Sequence, residues 1–285
     1  MFSVIIPTCN RPELLLKCLD CLAPSVQQLG YPYQVIVTDD SITTATKHTV
    51  EEKYHWVKWV AGPRKGPAAN RNNGAQYATG KWLVFIDDDC LPNENLLREY
   101  DTAITKNDNI CVFEGCILAD REQRDFREES PINESGGALW SCNFMIQRDL
   151  FLNRLKGFDD QFPYAAMEDA DLHFRIISEK ISIVFVRDAF VVHPWRIQNN
   201  LFAITQKRFE STLYFLKKHP EKIKQINSLY FLRAFYGFNK SLLLNAVRFR
   251  FRGFFSKAAS NFLQLYFAMY LLFNHNKGRQ KKFLK

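Results

Sequence analysis

The chain has 285 residues, 47% of them apolar and 24% charged, a globular balance able to bury a full core in one large domain or one domain plus an appendage. Its seven cysteines show no metal-binding quartet, and its net charge of +8 hides an asymmetry. Residues 1–200 hold 21 Lys/Arg against 28 Asp/Glu and residues 201–285 hold 17 against 2, which excludes a uniform surface and separates domains 1–200 and 201–285.

Phe2–Ile6 predicts a first strand, ended by Pro7 and the polar turn Thr8, Cys9, Asn10 and Arg11. The chain enters this strand without the basic and apolar segments of a secretory signal, so a reducing cytoplasmic setting is expected. Pro12 and Glu13 start a helix to about Ala23. Cys18 and Cys21 share its apolar pattern with Leu15, Leu19 and Leu22, as buried helix residues rather than a redox pair. Gln34–Thr38 is a second strand running into Asp39 and Asp40, Trp56–Ala61 a third, and Pro67–Ala78 a helix closed by Gly80.

The apolar run Trp82–Ile86 then passes straight into Asp87, Asp88 and Asp89. Such a run fits a strand buried on both faces, a central strand of a parallel sheet. The three acids would lie beyond its C-terminal end, where open α/β sheets bind ligands. Like charges this close are costly without a cation, and hard oxygen donors suit Mg²⁺ or Mn²⁺. An acidic loop after a buried strand is the plain alternative.

Pro92–Lys106 predicts a helix, Ile110–Leu118 a strand, and Asp120–Gly137 a polar loop, either mobile over a substrate or a solvated connector. Trp140–Ile146 reads as a strand, and Met167–Ile176 as a helix with Glu168, Asp169 and Asp171 in its first turn. Strands Ile181–Val186 and Phe190–Val192 lead to His193. Alternation at βαβ spacing predicts the α/β class, with a mostly parallel central sheet flanked by helices.

Thr8, Asn10, Arg11, Asp39, Asp40 and Asp87 to Asp89 all follow predicted strands, so parallel strands would gather them on one sheet edge. The motifs Ser3–Arg11, Val37–Ser41, Ala69–Gly74, Phe85–Asp89 and Glu168–Leu172 together resemble the family 2 glycosyltransferases of GT-A fold over about residues 2–195. The resemblance implies that Pro7, Thr8, Asn10 and Arg11 line a nucleotide pocket, that Asp39 contacts the base, and that Arg71 lies beside the nucleoside and phosphates. It further implies Asp87, Asp88 and Glu168 as substrate-binding, Asp89 and His193 as ligands of Mn²⁺ or Mg²⁺, and Asp169 as catalytic base. Two departures stand out: Asp40 is followed by Ser-Ile-Thr rather than Gly-Ser, and position 88 is a third Asp.

Residues 201–285 carry 19 of the 41 aromatic residues, and Arg248–Phe255 interleaves cations with rings. The apolar stretch Asn261–Phe273 is shorter than the ~20 residues that span a bilayer, and Lys277–Lys285 closes the chain with five basic residues. Helices lying on an anionic membrane surface fit this pattern. A basic bundle packed on the catalytic domain is the alternative, and nucleic-acid binding is disfavoured because the aromatics come in apolar blocks.

The expected activity is inverting, metal-dependent transfer of a sugar from a nucleotide-sugar, a UDP-sugar by resemblance, to a glycan or lipid-linked acceptor. It is expected at the cytoplasmic face of a membrane, in polysaccharide or glycoconjugate synthesis. A metal-dependent nucleotidyl or phosphoryl transferase and a non-catalytic nucleotide-binding protein are the alternatives.

Overall fold

Phe2–Thr8 forms strand β1 with all seven residues buried, followed by helix α1 (Pro12–Cys21), β2 (Gln34–Asp39), α2 (Ala45–Lys53) and β3 (Val57–Ala61). Helix α3 (Pro67–Gln76) leads to β4 (Trp82–Ile86), a short β5 (Leu91–Pro92), α4 (Leu96–Lys106) and β6 (Val112–Ala119). Strands β7 (Glu128–Glu129) and β8 (Asn143–Gln147), a wide turn at Leu150–Arg154, α5 (Glu168–Ser178), β9 (Ile183–His193) and β10 (Arg196–Ile197) follow. The chain ends in α6 (Leu201–Lys218), α7 (Ser228–Asn245) and α8 (Phe254–Gln280). This computed structural model describes residues 1–280, with side chains through Asn274, so the basic stretch Lys277–Lys285 lies outside the residues described in side-chain detail. Contacts divide the chain into two compact units. The first is Met1–Arg121, Ser130–Gln161 and Glu168–Pro194; the second is Glu122–Glu129, Phe162–Met167 and Trp195 onward.

In the first unit, the described residues form an eight-stranded sheet in the order β3-β2-β1-β4-β8-β6-β9-β5. β1 to β4 run parallel, β8 runs against both β4 and β6, and β6 pairs parallel with β9. Six strands therefore share one direction, and their C-terminal ends are at one edge together with the start of β8. The class is the expected one: an α/β sheet, mostly parallel, flanked by helices.

β4 is buried on both faces, as its unbroken apolar run requires. Val84 and Ile86 join a core with Leu15 and Leu19 of α1 and Leu97 and Tyr100 of α4. Leu83 and Phe85 face the opposite core, with Ala75 of α3 and Leu172 and Ile176 of α5. Phe85 stacks on Phe144 at 4.9 Å, and burying such a ring is worth about 1.5–3 kcal/mol. Gly74 allows α3 its close approach: a Cβ there would meet Ile5 Cγ2 at 2.6 Å.

Several element boundaries differ from the sequence reading. β1 continues through Pro7 and Thr8 because β4 pairs only as far as Ile5, so the missing Pro7 N–H breaks no ladder bond on that side. The two strands expected at Ile181–Val186 and Phe190–Val192 are one strand, β9, with an irregularity where Gly115 meets Val186 and Cys116 meets Phe190. The loop Asp120–Gly137 is tied down rather than solvated throughout. Glu114 accepts hydrogen bonds from the backbone of Gly137, Ala138 and Leu139 and from Asn133 Nδ2.

In the second unit, Phe209, Phe231 and Phe267 of the three helices form a mutual aromatic cluster, with Phe209 and Phe267 stacked at 3.8 Å. β7 pairs with β10, and Phe126 packs on Phe249. α7, α8 and the loop between them leave Tyr236, Leu244, Val247 and Phe255 largely exposed beside Arg233, Lys240, Arg248 and Arg250. Among the described residues, no helix is long and apolar enough to cross a membrane.

Candidate functional site

The common C-terminal edge gathers side chains from seven segments. At the end of β1, Thr8 Oγ1 donates to Asp88 Oδ2 at 2.7 Å, and Arg11 Nη2 meets Asp88 Oδ1 at 2.8 Å. Asp88, fully buried, thus clamps the loop after β1 to the end of β4. Asn10, at φ +54°, donates its backbone N–H to Ser41 Oγ at 2.7 Å and joins the loops after β1 and β2.

At the end of β2, Asp39 accepts from the Ser41 backbone N–H at 2.9 Å and from Trp59 Nε1 at 3.3 Å. Asp40 accepts from the Arg64 backbone N–H at 2.8 Å, and burial raises its pKa against that hydrogen bond. The Ser-Ile-Thr departure is absorbed here: Ser41, not a glycine, closes the turn with its own N–H and hydroxyl. Asn70 of α3 holds both strand ends, donating to the Thr8 carbonyl at 3.2 Å and the Thr38 carbonyl at 2.9 Å.

The three consecutive acids have three different surroundings. Asp87 pairs with Arg71 Nη2 at 2.6 Å. Burial opposes its charge, but Arg71 outweighs burial and holds the carboxyl below its ordinary pKa. Asp88 is the clamp just described. Asp89 Oδ2 lies 3.3 Å from Nε2 of His193, the last residue of β9. Burial keeps the His193 ring neutral, and its Nδ1 is 2.9 Å from the Pro194 carbonyl, an obligate acceptor. In that tautomer the bare Nε2 lone pair faces a carboxylate oxygen, an arrangement that suits a shared cation.

Cys90 Sγ lies within 4.8 Å of a carboxylate oxygen of Asp89 and a ring nitrogen of His193. Its thiol donates to the Cys142 carbonyl, and burial pushes its pKa well up, so it stays protonated and is a poor ligand. A hard oxygen with one imidazole nitrogen fits Mn²⁺ or Mg²⁺ better than a thiophilic ion.

Glu168 and Asp169 open α5, which the chain enters through Met167 at φ +74°. Ser141, just before β8, donates its backbone N–H and its hydroxyl to Asp169 Oδ2 at 3.1 and 3.2 Å. Asp169 Oδ1 is buried with no hydrogen-bond partner among the described residues. Burial raises the pKa of both acids, Glu168 to about 7, with the neighbouring charges of the pair adding to the effect on Glu168. Arg71 is the shared counter-charge: buried itself, it feels Asp87, Asp169 and Glu168 together, and its Nε and Nη1 have no hydrogen-bond partner among the described residues. Asp171 instead pairs with Arg175 at 2.8 Å, and Arg175 also holds the Leu155 and Gly157 carbonyls.

The structure therefore brings Asp87, Asp89, His193, Arg71, Glu168 and Asp169 to one edge, with Pro7, Thr8, Asn10, Arg11 and Asp39 on the same edge beyond β1 and β2. Asn70 and Ser141 were not singled out in the sequence. Asn70 stands inside a quoted motif, whereas Ser141 had no signal, because its placement follows from β8 running antiparallel.

A family model for glycosyl transferase family 2 matches residues 3–171, more than half of the chain. The chain belongs to that family. Among curated relatives, it is 34% identical over 202 residues to the GalNAc(5)-diNAcBac-PP-undecaprenol beta-1,3-glucosyltransferase of Campylobacter jejuni. That match takes in 67% of this chain and 62% of the relative's length. Among solved structures, S. aureus TarS 1–349 in complex with UDP-GlcNAc superposes with a TM-score of 0.55 at 21% identity, covering 75% of this chain and 66% of that one. GalNAc-T7 with UDP, GalNAc and Mn2+ gives 0.56 at 20% identity, covering 70% and 44%. Both likenesses confirm the GT-A fold. Membership of glycosyl transferase family 2 weighs for sugar transfer over the nucleotidyl-transfer and purely binding alternatives.

Proposed function

We propose that this family 2 glycosyltransferase moves a sugar from a UDP-sugar to a hydroxyl of a glycan or lipid-linked acceptor with inversion at the anomeric carbon. The observation that carries this reading is Asp169: one oxygen is fixed by Ser141 and the other is buried with no hydrogen bond among the described residues, on the edge that holds Arg71 and Asp89. In this reading Asp169 Oδ1 takes the proton of the acceptor hydroxyl as its oxygen attacks from the face opposite the leaving nucleoside diphosphate. General-base help of this kind contributes about 10²–10⁴-fold.

Pro7, Thr8, Asn10 and Arg11 bound the nucleotide pocket, with Asp39 toward the base and Asp87 toward the ribose. Asp88 acts through Thr8 and Arg11, which it positions, rather than by touching the donor. Arg71 and Glu168 set the charge around the base. Asp89 and His193 hold the divalent cation. Bound there, Mn²⁺ or Mg²⁺ supplies Lewis-acid neutralisation of the charge on the departing diphosphate.

The lipid-linked acceptor named for the Campylobacter relative supports an acceptor at a membrane surface. The exposed aromatic and basic residues of α7 and α8 support peripheral attachment to anionic lipid, with residues 1–200 as the catalytic domain. Incubation with a panel of nucleotide sugars, read as released nucleoside diphosphate, tests the donor; release from none of them would remove the transfer reading. Co-sedimentation with anionic liposomes tests the attachment, and no binding at low salt would exclude it.

A further inference from the structure

The second unit has a half-open pocket of about 350 Å³, lined by α6, α7 and α8 with Glu129 and Met167, that the transfer reaction does not use. That volume falls in the roughly 300–1,000 Å³ range of small-molecule sites. Its floor is the aromatic cluster of Phe209, Phe231 and Phe267. Its other wall is polar, with Arg208, Lys257, Gln264 and the acid Glu129.

One feature of that wall calls for an anion, and a second for a hydrogen-bonding partner. Arg208 is forked onto Glu129 through Nη1 at 2.9 Å and Nη2 at 2.6 Å, which neutralises one of the two cations. Lys257 has no such partner: its Nζ rests 5.6 Å from the Phe238 ring centre and makes no hydrogen bond among the described residues. Burial lowers its pKa against the weaker pull of Glu129. The side chain of Gln264, only 8% exposed, lines the cavity without a hydrogen bond among the described residues.

We infer that this cavity binds a phosphate-headed lipid, the phosphate on Lys257 and Gln264 and the first carbons of its chain on the phenylalanine floor. A free phosphate would leave the aromatic floor bare, and a neutral amphiphile would leave the ammonium uncompensated. The volume takes a headgroup and a short length of chain, so the rest of the lipid leaves past the rim residues Tyr230 and Phe238, which are 50% and 45% exposed. This site is separate from sugar transfer and stands or falls without it.

The test is equilibrium binding of three probes to the whole chain: dodecyl phosphate and dodecyl maltoside, each below its micelle concentration, and inorganic phosphate. Dodecyl phosphate should bind at least about tenfold tighter than either other probe, the expected worth of a charge-assisted hydrogen bond. Lys257→Gln should remove that margin while leaving dodecyl maltoside unchanged. Ala234→Trp, which fills the cavity from α7, should abolish dodecyl phosphate binding with helical circular dichroism intact, and Thr212→Trp does the same from α6 if the first variant is unstable. Equal affinity for the two detergents, or undiminished dodecyl phosphate binding in a folded filled variant, would overturn the site. Binding of inorganic phosphate as tight as dodecyl phosphate would replace the lipid with a free anion and overturn it as stated.

Discussion

Ser141 donates both its backbone N–H and its hydroxyl to the same oxygen of Asp169, Oδ2, at 3.1 and 3.2 Å. The carboxylate is thereby fixed with its other oxygen, Oδ1, left for a reaction partner. Ser141→Ala keeps the backbone bond and loses the other. A neutral hydrogen bond is worth about 0.5–1.5 kcal/mol, so kcat should fall about 2- to 12-fold with the donor KM unchanged. Because that hydroxyl also lowers the Asp169 pKa, the acidic limb of the pH–rate profile should move to higher pH. Steady-state kinetics across pH checks both; an unmoved limb removes Ser141 as the positioning residue.

Burial, then the charge of Asp169, raises the Glu168 carboxyl from an ordinary 4.5 to about 7. Between those values the folded protein holds a proton that the unfolded chain has released. Stability from this group is therefore complete below 4.5 and lost as pH rises through about 7. Glu168→Gln cannot ionise, so its melting temperature relative to wild type should rise between about pH 5 and about pH 8. Thermal melts at the two pH values measure it, and a constant difference would show Glu168 to be ordinarily ionised.

Cys90 lies as near His193 and Asp89 as a metal ligand would, but its proton is committed to the Cys142 carbonyl. Chelation with EDTA should abolish transfer, and Mn²⁺ or Mg²⁺ should restore it. Asp89→Asn and His193→Ala should weaken Mn²⁺ binding, whereas Cys90→Ser should leave it intact. Calorimetric titration with Mn²⁺ distinguishes these; full activity in a metal-free preparation would contradict the carboxylate–imidazole site.

Arg71 is buried against three acids, and its removal leaves Asp87, Asp169 and Glu168 without their shared counter-charge. Breaking a buried pair from one side costs about 3–5 kcal/mol. Arg71→Ala should lose that much in urea unfolding near neutral pH, and less at low pH, where the carboxyls are protonated. A loss equal at both pH values would make Arg71 a packing residue.

Much of this edge was legible because its signals are local. The run Trp82–Ile86 into Asp87 reports a two-faced strand and its end in eight residues, and Thr8, Asp39 and Arg71 stand at fixed offsets from such ends. Helix α2 was not legible: in Ala45–Lys53 only Thr46 and Val50 are buried, too few for an apolar stripe. The separate fates of Asp87, Asp88 and Asp89 were hidden as well, since three identical side chains in a row differ only by the neighbours that β1, α3 and β9 bring. Ser141 was hidden for a similar reason. Its position depends on β8 running against β4, and long-range pairing leaves no mark in a five-residue strand. The contacts of Glu122–Glu129 and Phe162–Met167 with the C-terminal helices are likewise distant in sequence, so the charge boundary near residue 200 did not register them.

Asp169→Asn measured twice on one preparation, for nucleoside diphosphate binding by calorimetry and for sugar transfer by product release, is the most direct test of the base. The variant should bind UDP with Mn²⁺ as wild type does while turnover falls by about 10²-fold or more. Turnover close to wild type would contradict Asp169 as the group that takes the acceptor's proton.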